Sequence, residues 1–445
     1  MNGENILELI EQKKYIQLKR ILSEMNEVDI AEILDPLDVN TTLLLFRMLP
    51  KDLAVEVFAH FSTDQQRDII NAVTDKELNY ILDELFFDDM IDLIEEMPAN
   101  VVSKILANSS NEERRLINQF LKYPPDSAGS IMTIEYVELK KNMTVGDALK
   151  HIKETGLSKE TVYTCYVTDY KRTLLGIISL RKLVISDEDI IIGDIMEEEI
   201  IYGHTHDDQE SVANIIKKYG FIALPVVDNE HRLTGIITVD DVIDVIEQET
   251  TEDFQIMAAM SPSEDEYLNT GIFKLAKQRI FWLLILMITA TFTGQIINRY
   301  QGLLQTAVVL ATFMPMLMNT GGNAGSQAAT LIIRGLATEE INVSDGLKVL
   351  WKEFRVSIIV AGSLAIINYI RLMTLEKVGN PVALTVSLTL VVTITVAKMS
   401  GSLLPLLAKK LKLDPAIMAG PLIATTVDAV TLTVYFSIAS LLLGI

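Results

Sequence analysis

The chain has 445 residues, with 38 Lys plus Arg against 60 Asp plus Glu and a formal charge of −22. A mean hydropathy of +0.30 is too apolar for an ordinary soluble enzyme and too polar for a chain wholly in lipid, and the length allows two to four domains. Residues 1–270 hold 24 basic and 53 acidic side chains (net −29), whereas residues 271–445 hold 14 and 7 (net +7). The acidic half argues against nucleic acid as a partner, because binding phosphates requires cationic surface; it favours cations. A single cysteine, Cys165, excludes a disulfide framework and a cysteine-ligated zinc site, and reads as a small core residue. The opening Met1-Asn2-Gly3-Glu4-Asn5 lacks the basic and apolar regions of a cleavable signal peptide.

Residues 1–125 are expected to form an acidic helical-repeat domain. Met25, Leu37, Leu49, Phe61, Val73, Leu85 and Met97 recur every twelve residues, and each is followed eight and nine positions later by an apolar pair, from Ile33-Leu34 to Ile105-Leu106. Helix-initiating residues follow the register position at Asp38, Thr63-Asp64, Thr74-Asp75 and Asp88, with Pro50 and Pro98. Short helices stacked as a solenoid fit this period.

Residues 126–247 change texture. Two segments, 132–184 and 196–243, each run from a helical stretch through a β-branched strand and a hairpin to a Gly-Ile-Ile triplet, Gly176-Ile177-Ile178 and Gly235-Ile236-Ile237. With Leu224-Pro225-Val226-Val227-Asp228 ahead of the second triplet, the pair resembles tandem CBS domains, an α/β arrangement. That resemblance implies a regulatory module sensing adenine nucleotides or metal ions, with ATP as the candidate nucleotide.

A linking helix is expected over 248–275, and an all-α domain of five transmembrane helices over 276–445. The apolar stretches run over 280–297, 302–318, 356–373, 382–407 and 416–443; the second and third are short against the ~20 residues a crossing requires. Basic residues set the orientation. With the N-terminal part cytoplasmic, Lys274, Lys277, Arg279, Arg334, Lys348, Lys352, Arg355, Lys409, Lys410 and Lys412 lie inside, and only Arg299, Arg371 and Lys377 outside. An odd number of spans then places Ile445 outside.

Two features of the membrane part carry chemistry. Gly321 and Gly325 would form a close-packing GxxxG face. Yet Gly321-Gly322 beside Asn319, Thr320, Asn323, Ser326 and Gln327 also leaves many polar groups at membrane depth, which is tolerated where they are buried or line water. In the last span the sole charged side chain is Asp428. A carboxylate at mid-bilayer costs about 2.5–3.5 kcal/mol on insertion scales, so a partner, a proton or passing cations must compensate it. Gly420-Pro421 and Thr425-Thr426 can loosen that helix and add oxygen ligands. Lys398 is the obvious partner in the fourth span; beside an aqueous cation path it would repel the ion, so it is expected to snorkel or pack elsewhere.

The run Thr320-Gly321-Gly322-Asn323-Ala324-Gly325-Ser326-Gln327, continued to Arg334, together with Asp414-Pro415-Ala416, Gly420-Pro421-Leu422-Ile423-Ala424-Thr425 and Asp428, resembles the MgtE-type magnesium channels, and the likeness extends over the whole chain. The resemblance implies a homodimer in the cell membrane with a pore on the twofold axis. In it Asp428 from each copy holds hydrated Mg2+, with Ala424 and the Asn323 region helping to line the path. It also implies cytoplasmic Mg2+ sensors at Glu56, Asp88, Asp92, Asp208, Glu210, Asp241, Asp244, Glu249 and Glu252. Gly420 and Gly220 depart from the pattern, standing where a relative carries Asn and an acidic residue respectively.

The chemistry agrees. Mg2+ is small, hard and slow to shed water, so one or two carboxylates usually hold it with several waters retained. No GxxxxGK[ST] loop occurs, so the chain is expected to be neither an ATP-driven pump nor an enzyme. A membrane potential supplies about 4.6 kcal/mol per divalent ion per 100 mV. Asp88, Asp92, Glu95 and Glu96 share one helix face, and Asp241, Asp244, Glu249 and Glu252 lie within an arc of about 140° on another. Such faces repel one another until bridged by Mg2+, which would pull the helix over 247–260 against the pore. The alternatives are a carrier of Mn2+ or Co2+, a nucleotide-sensing membrane regulator, and an ion-coupled transporter.

Overall fold

The computed structural model describes residues 6, 9, 10, 12, 14–263, 267, 268 and 270–444. The opening pentapeptide, Ile445 and part of the expected linking segment (264–266 and 269) lie outside the described residues. The chain divides into two compact units, Met1–Ile246 and Glu247–Ile445.

In the first unit, short helices begin every twelve residues at Glu27, Val39, Lys51, Thr63, Asp75, Phe87, Ala99 and Asn111. Each register residue sits two positions before a helix start, and each apolar pair falls in the last turns, so Leu45, Phe46, Val57, Phe58, Ile69, Ile70, Ile81 and Leu82 enter one core. Eight to ten helical residues plus a two- to four-residue turn return the chain to the same face, and alternate helices stack. Asp38 caps its helix by accepting from the N–H groups of Asn40 and Thr41, and Thr74 forms a capping box with Glu77. Elsewhere the caps shift. Ser62 rather than Thr63 occupies the N-cap, and Asp88 lies inside the first turn of its helix, buried.

The CBS pair forms two three-stranded sheets of the same order. β1 (Tyr136–Lys140), β2 (Thr161–Thr168) and β3 (Leu174–Ser179) make the first; β4 (Gly203–His204), β5 (Ala223–Val227) and β6 (Leu233–Thr238) make the second. In each, the first pair is parallel and the second antiparallel. The halves interlock, since Thr133 donates to Ile236 O on β6 and Ile177 on β3 exchanges both backbone bonds with Glu197. The triplet glycines make this approach possible: a Cβ on Gly235 would lie 2.5 Å from Thr133 O, and one on Gly176 2.6 Å from Met196 Sδ. Cys165 is buried on β2. The core of the helical repeat continues into the second CBS half through Val212, Ile216, Leu224 and Ile237.

Among its described residues the second unit has five long helices: Ile272–Arg299, Met314–Ala337, Gly346–Arg371, Asn380–Lys410 and Gly420–Leu443. All but the second are long and apolar enough to cross a membrane. The second differs from expectation. The stretch 302–318 is not one span: a short helix Gln301–Thr306 and a 3-10 segment Val308–Phe313 precede the long helix, which starts at Met314 with proline in its first turn. Proline is tolerated there because its missing N–H would lack a helical partner anyway. The polar run 319–327 is continuous helix. The last span likewise starts at Gly420, after a 3-10 turn Pro415–Met418.

Candidate functional site

Glycine decides how the second long helix packs. A Cβ on Gly321 would lie 2.6 Å from Thr393 Cγ2 and 2.9 Å from Val427 Cγ1, and one on Gly325 2.6 Å from Ile423 Cγ2. Gly322 faces Ala424, where a Cβ would meet the alanine's own at 3.3 Å. A further glycine, Gly401 on the fourth helix, lies against the Gly325 carbonyl. Small residues thus bring the second helix against the fourth and fifth without intervening side chains. That places Gly321, Gly322 and Ala424 in the seam, with Asn319, Asn323 and Gln327 exposed elsewhere on the same helix. Asn323 donates to Asn319 Oδ1 at 3.4 Å.

On the fifth helix, Thr425 and Thr426 donate to the Leu422 carbonyl at 3.0 and 2.9 Å, a pattern that bends helices. Three residues on, Asp428 is half-buried. Among the described residues no hydrogen bond or ion pair engages its carboxylate. Lys398 pairs instead with Glu353 on the third helix, Nζ to Oε2 3.5 Å, both side chains nearly inaccessible. Glu353 escaped the sequence reading because the span it belongs to was expected to begin three residues later. Among the described residues, the one lysine buried in these helices is therefore neutralised away from Asp428.

The first unit holds the second cluster. Asp88 is 9% exposed; burial, then the charges of Asp241, Asp89 and Glu160, push its carboxyl up to about 9. Asp92 is raised to about 7 by desolvation and by Asp89 and Asp241, although its side chain keeps contact with solvent. Asp241 is raised to about 6 by burial, opposed by the Thr238 hydroxyl that donates to it at 2.5 Å. Asp88, Asp92 and Asp241 thus come together across the junction of the helical repeat and the CBS pair. Glu160 joins them, raised to about 7 by burial and by Asp240, Asp241 and Asp89. Sequence periodicity missed Glu160 because it precedes β2, far along the chain from both acidic faces.

The remaining sensor candidates are dispersed. Glu56 is exposed and does not figure among the charges acting most strongly on Asp88, Asp92 or Asp241. Asp208 caps the helix Gln209–Tyr219, accepting from the N–H groups of Glu210 and Ser211, which ties Glu210 to the first turn of that helix. Asp244 and Glu252 are exposed on the helix Val239–Met257. Glu249 acts on Asp253, which the sequence reading did not select; burial first, then Asp414 and Glu249, raise Asp253 to about 6. Among the described residues no three His, Cys, Asp or Glu side chains are placed to hold a bare metal ion.

These features have known relatives. The divalent cation transporter model of the MgtE family matches residues 314–438, the MgtE intracellular N domain residues 25–126, and the CBS domain residues 128–189 and 192–248. Magnesium transporter MgtE of Thermus thermophilus is 34% identical over 431 residues, 96% of this chain and 95% of that protein. Its Bacillus subtilis namesake is 31% identical over 98% of this chain and 96% of its own length. The chain belongs to the MgtE family. Among solved structures, the cytosolic domain of the Mg2+ channel MgtE in complex with ATP is 33% identical, with a TM-score of 0.52, covering 55% of this chain and all of that one. Membership makes the protein a multi-pass membrane transporter with CBS domains, and its named relatives are transporters rather than enzymes.

Proposed function

We propose that this MgtE-family chain is a channel that conducts hydrated Mg2+ into the cell down its electrochemical gradient, and that cytoplasmic Mg2+ closes it. The observation that carries the reading is Asp428: a half-buried carboxylate on a membrane helix, without a protein partner among the described residues, while Lys398 is held by Glu353. A homodimer setting two copies of Asp428 across a wet axis would present two carboxylates to the outer waters of the ion. The polar face of Asn319, Asn323 and Gln327 favours the same arrangement, since such groups require water or protein rather than lipid. The basic residues support a cytoplasmic N-terminal part and an outer C-terminus.

The gate follows from the acidic junction. Without Mg2+, Asp88, Asp92, Asp241 and Glu160 repel; divalent ions with part of their water shell would offset that charge and hold the junction closed. Glu56, Asp208, Glu210, Asp244, Glu249 and Glu252 are proposed as further Mg2+-sensing carboxylates, dispersed outside that cluster. Regulation by ATP at the CBS pair is supported by the likeness to the ATP-bound domain. Vesicles containing the pure full chain test the pore: with an inside-negative potential, Mg2+ enters through the wild type and not through Asp428→Asn. Equal flux through both would sink the proposal.

A further inference from the structure

The helix Val239–Met257 ends abruptly. Ala259 adopts a left-handed conformation (φ +54), and the carbonyls of Phe254, Gln255 and Ile256 accept from Ala258, Met260 and Ala259. The Met257 carbonyl has no such donor among the described residues, because Ser261 N–H, which helix continuation would supply, donates to Gln278 O at 3.0 Å. Ile256 and Met257 instead pack onto the membrane unit's core. The exposed carbonyl faces Gly420, the first residue of the fifth long helix, where a Cβ would lie 2.9 Å from Met257 O. Gly420 also has φ +25, a backbone region that L side chains rarely adopt. Both partners in this contact are backbone, so neither can swing aside.

We propose that Gly420 is the seat on which the linking helix closes the ion path: it positions the gate by having no side chain, letting the Met257 carbonyl rest against the start of the helix that carries Asp428. Eight residues, about 12 Å of helix, separate the seat from that carboxylate. The inference rests on the proposed gate and adds to it the point where the linking helix meets the pore helix. A glycine at this mouth therefore determines how closely the helix docks.

The test measures Mg2+ flux through the full chain in vesicles as Mg2+ on the cytoplasmic side is raised. Gly420→Ala keeps the wild-type flux at low cytoplasmic Mg2+ and requires about tenfold more Mg2+ for half-closure, the strain and the lost contact both opposing docking. Met257→Pro, which displaces the carbonyl while leaving the sequence of the pore helix unchanged, gives the same shift. Gly302→Ala, with nothing within 4 Å of the added methyl, closes as the wild type does. A wild-type closing concentration in Gly420→Ala overturns the seat; should that variant be inactive throughout, the Met257→Pro threshold decides alone. A wild type that never closes overturns the gate, and the seat with it.

Discussion

The two units handle carboxylates in opposite ways. At the junction in the first, several acids crowd together and burial raises Asp88 to about 9 and Asp92 and Glu160 to about 7, so the junction is short of positive charge. In the second, Asp428 stands alone on its helix, and the buried Lys398 is bound to Glu353. On the function proposed above, the first arrangement would respond to ion concentration because mutual repulsion changes with every cation bound. The second would conduct because an isolated carboxylate attracts an ion through its water without enclosing it. A sensor needs many carboxylates in conflict; a path needs one that is uncommitted.

The comparison breaks most severely at Asp428. Asp428→Asn is expected to lower Mg2+ flux at least a hundredfold (~2.7 kcal/mol in the barrier) while leaving Mg2+-induced protease protection of the first unit intact. Loss of both would mean the two regions are not separable.

In stability rather than flux, the largest effect is at the buried pair. Lys398→Met leaves Glu353 uncompensated, and breaking such a pair costs about 3–5 kcal/mol. The purified variant is expected to melt well below the wild type in detergent, with Glu353→Gln/Lys398→Met recovering most of the loss. An unchanged melting temperature in the single variant would show that the pair bears no structural weight.

Asp88→Asn removes the cost of burying and protonating this carboxyl near neutral pH and is expected to stabilise the Mg2+-free junction by on the order of 2 kcal/mol, read by hydrogen exchange in the full chain. The pH dependence has a definite sign. Asp88, Asp92, Asp241 and Glu160 all have raised pKa values, so between their unfolded and folded values the folded junction binds more protons than the unfolded chain, and its stability falls as pH rises from about 4 to about 9. Millimolar Mg2+ should flatten that slope, since bound cations displace the protons. A slope indifferent to Mg2+ would separate the acidic cluster from sensing. The smallest effect is at the helix seam: Gly401→Ala drives a methyl into the Gly325 carbonyl and is expected to cost about 1–3 kcal/mol, whereas Gly302→Ala leaves stability unchanged.

The sequence alone reached those features that obey local rules. Period twelve fixed the helix starts from Glu27 to Asn111, because a helix of fixed length and a turn repeat the same apolar positions. The duplicated Gly-Ile-Ile triplet revealed the CBS pair, because only glycine permits the close strand crossing. A single charge in an apolar helix marked Asp428, because lipid penalises it wherever the helix packs. The tertiary structure decided what depends on distant partners. It paired Lys398 with Glu353 rather than Asp428, brought Glu160 to the Asp88–Asp241 cluster, began the second long helix at Met314, and set Met257 on Gly420. Apart from the local break before Met314, each of these is a contact between segments well separated in the chain, and chain periodicity records which face is apolar without recording what that face meets.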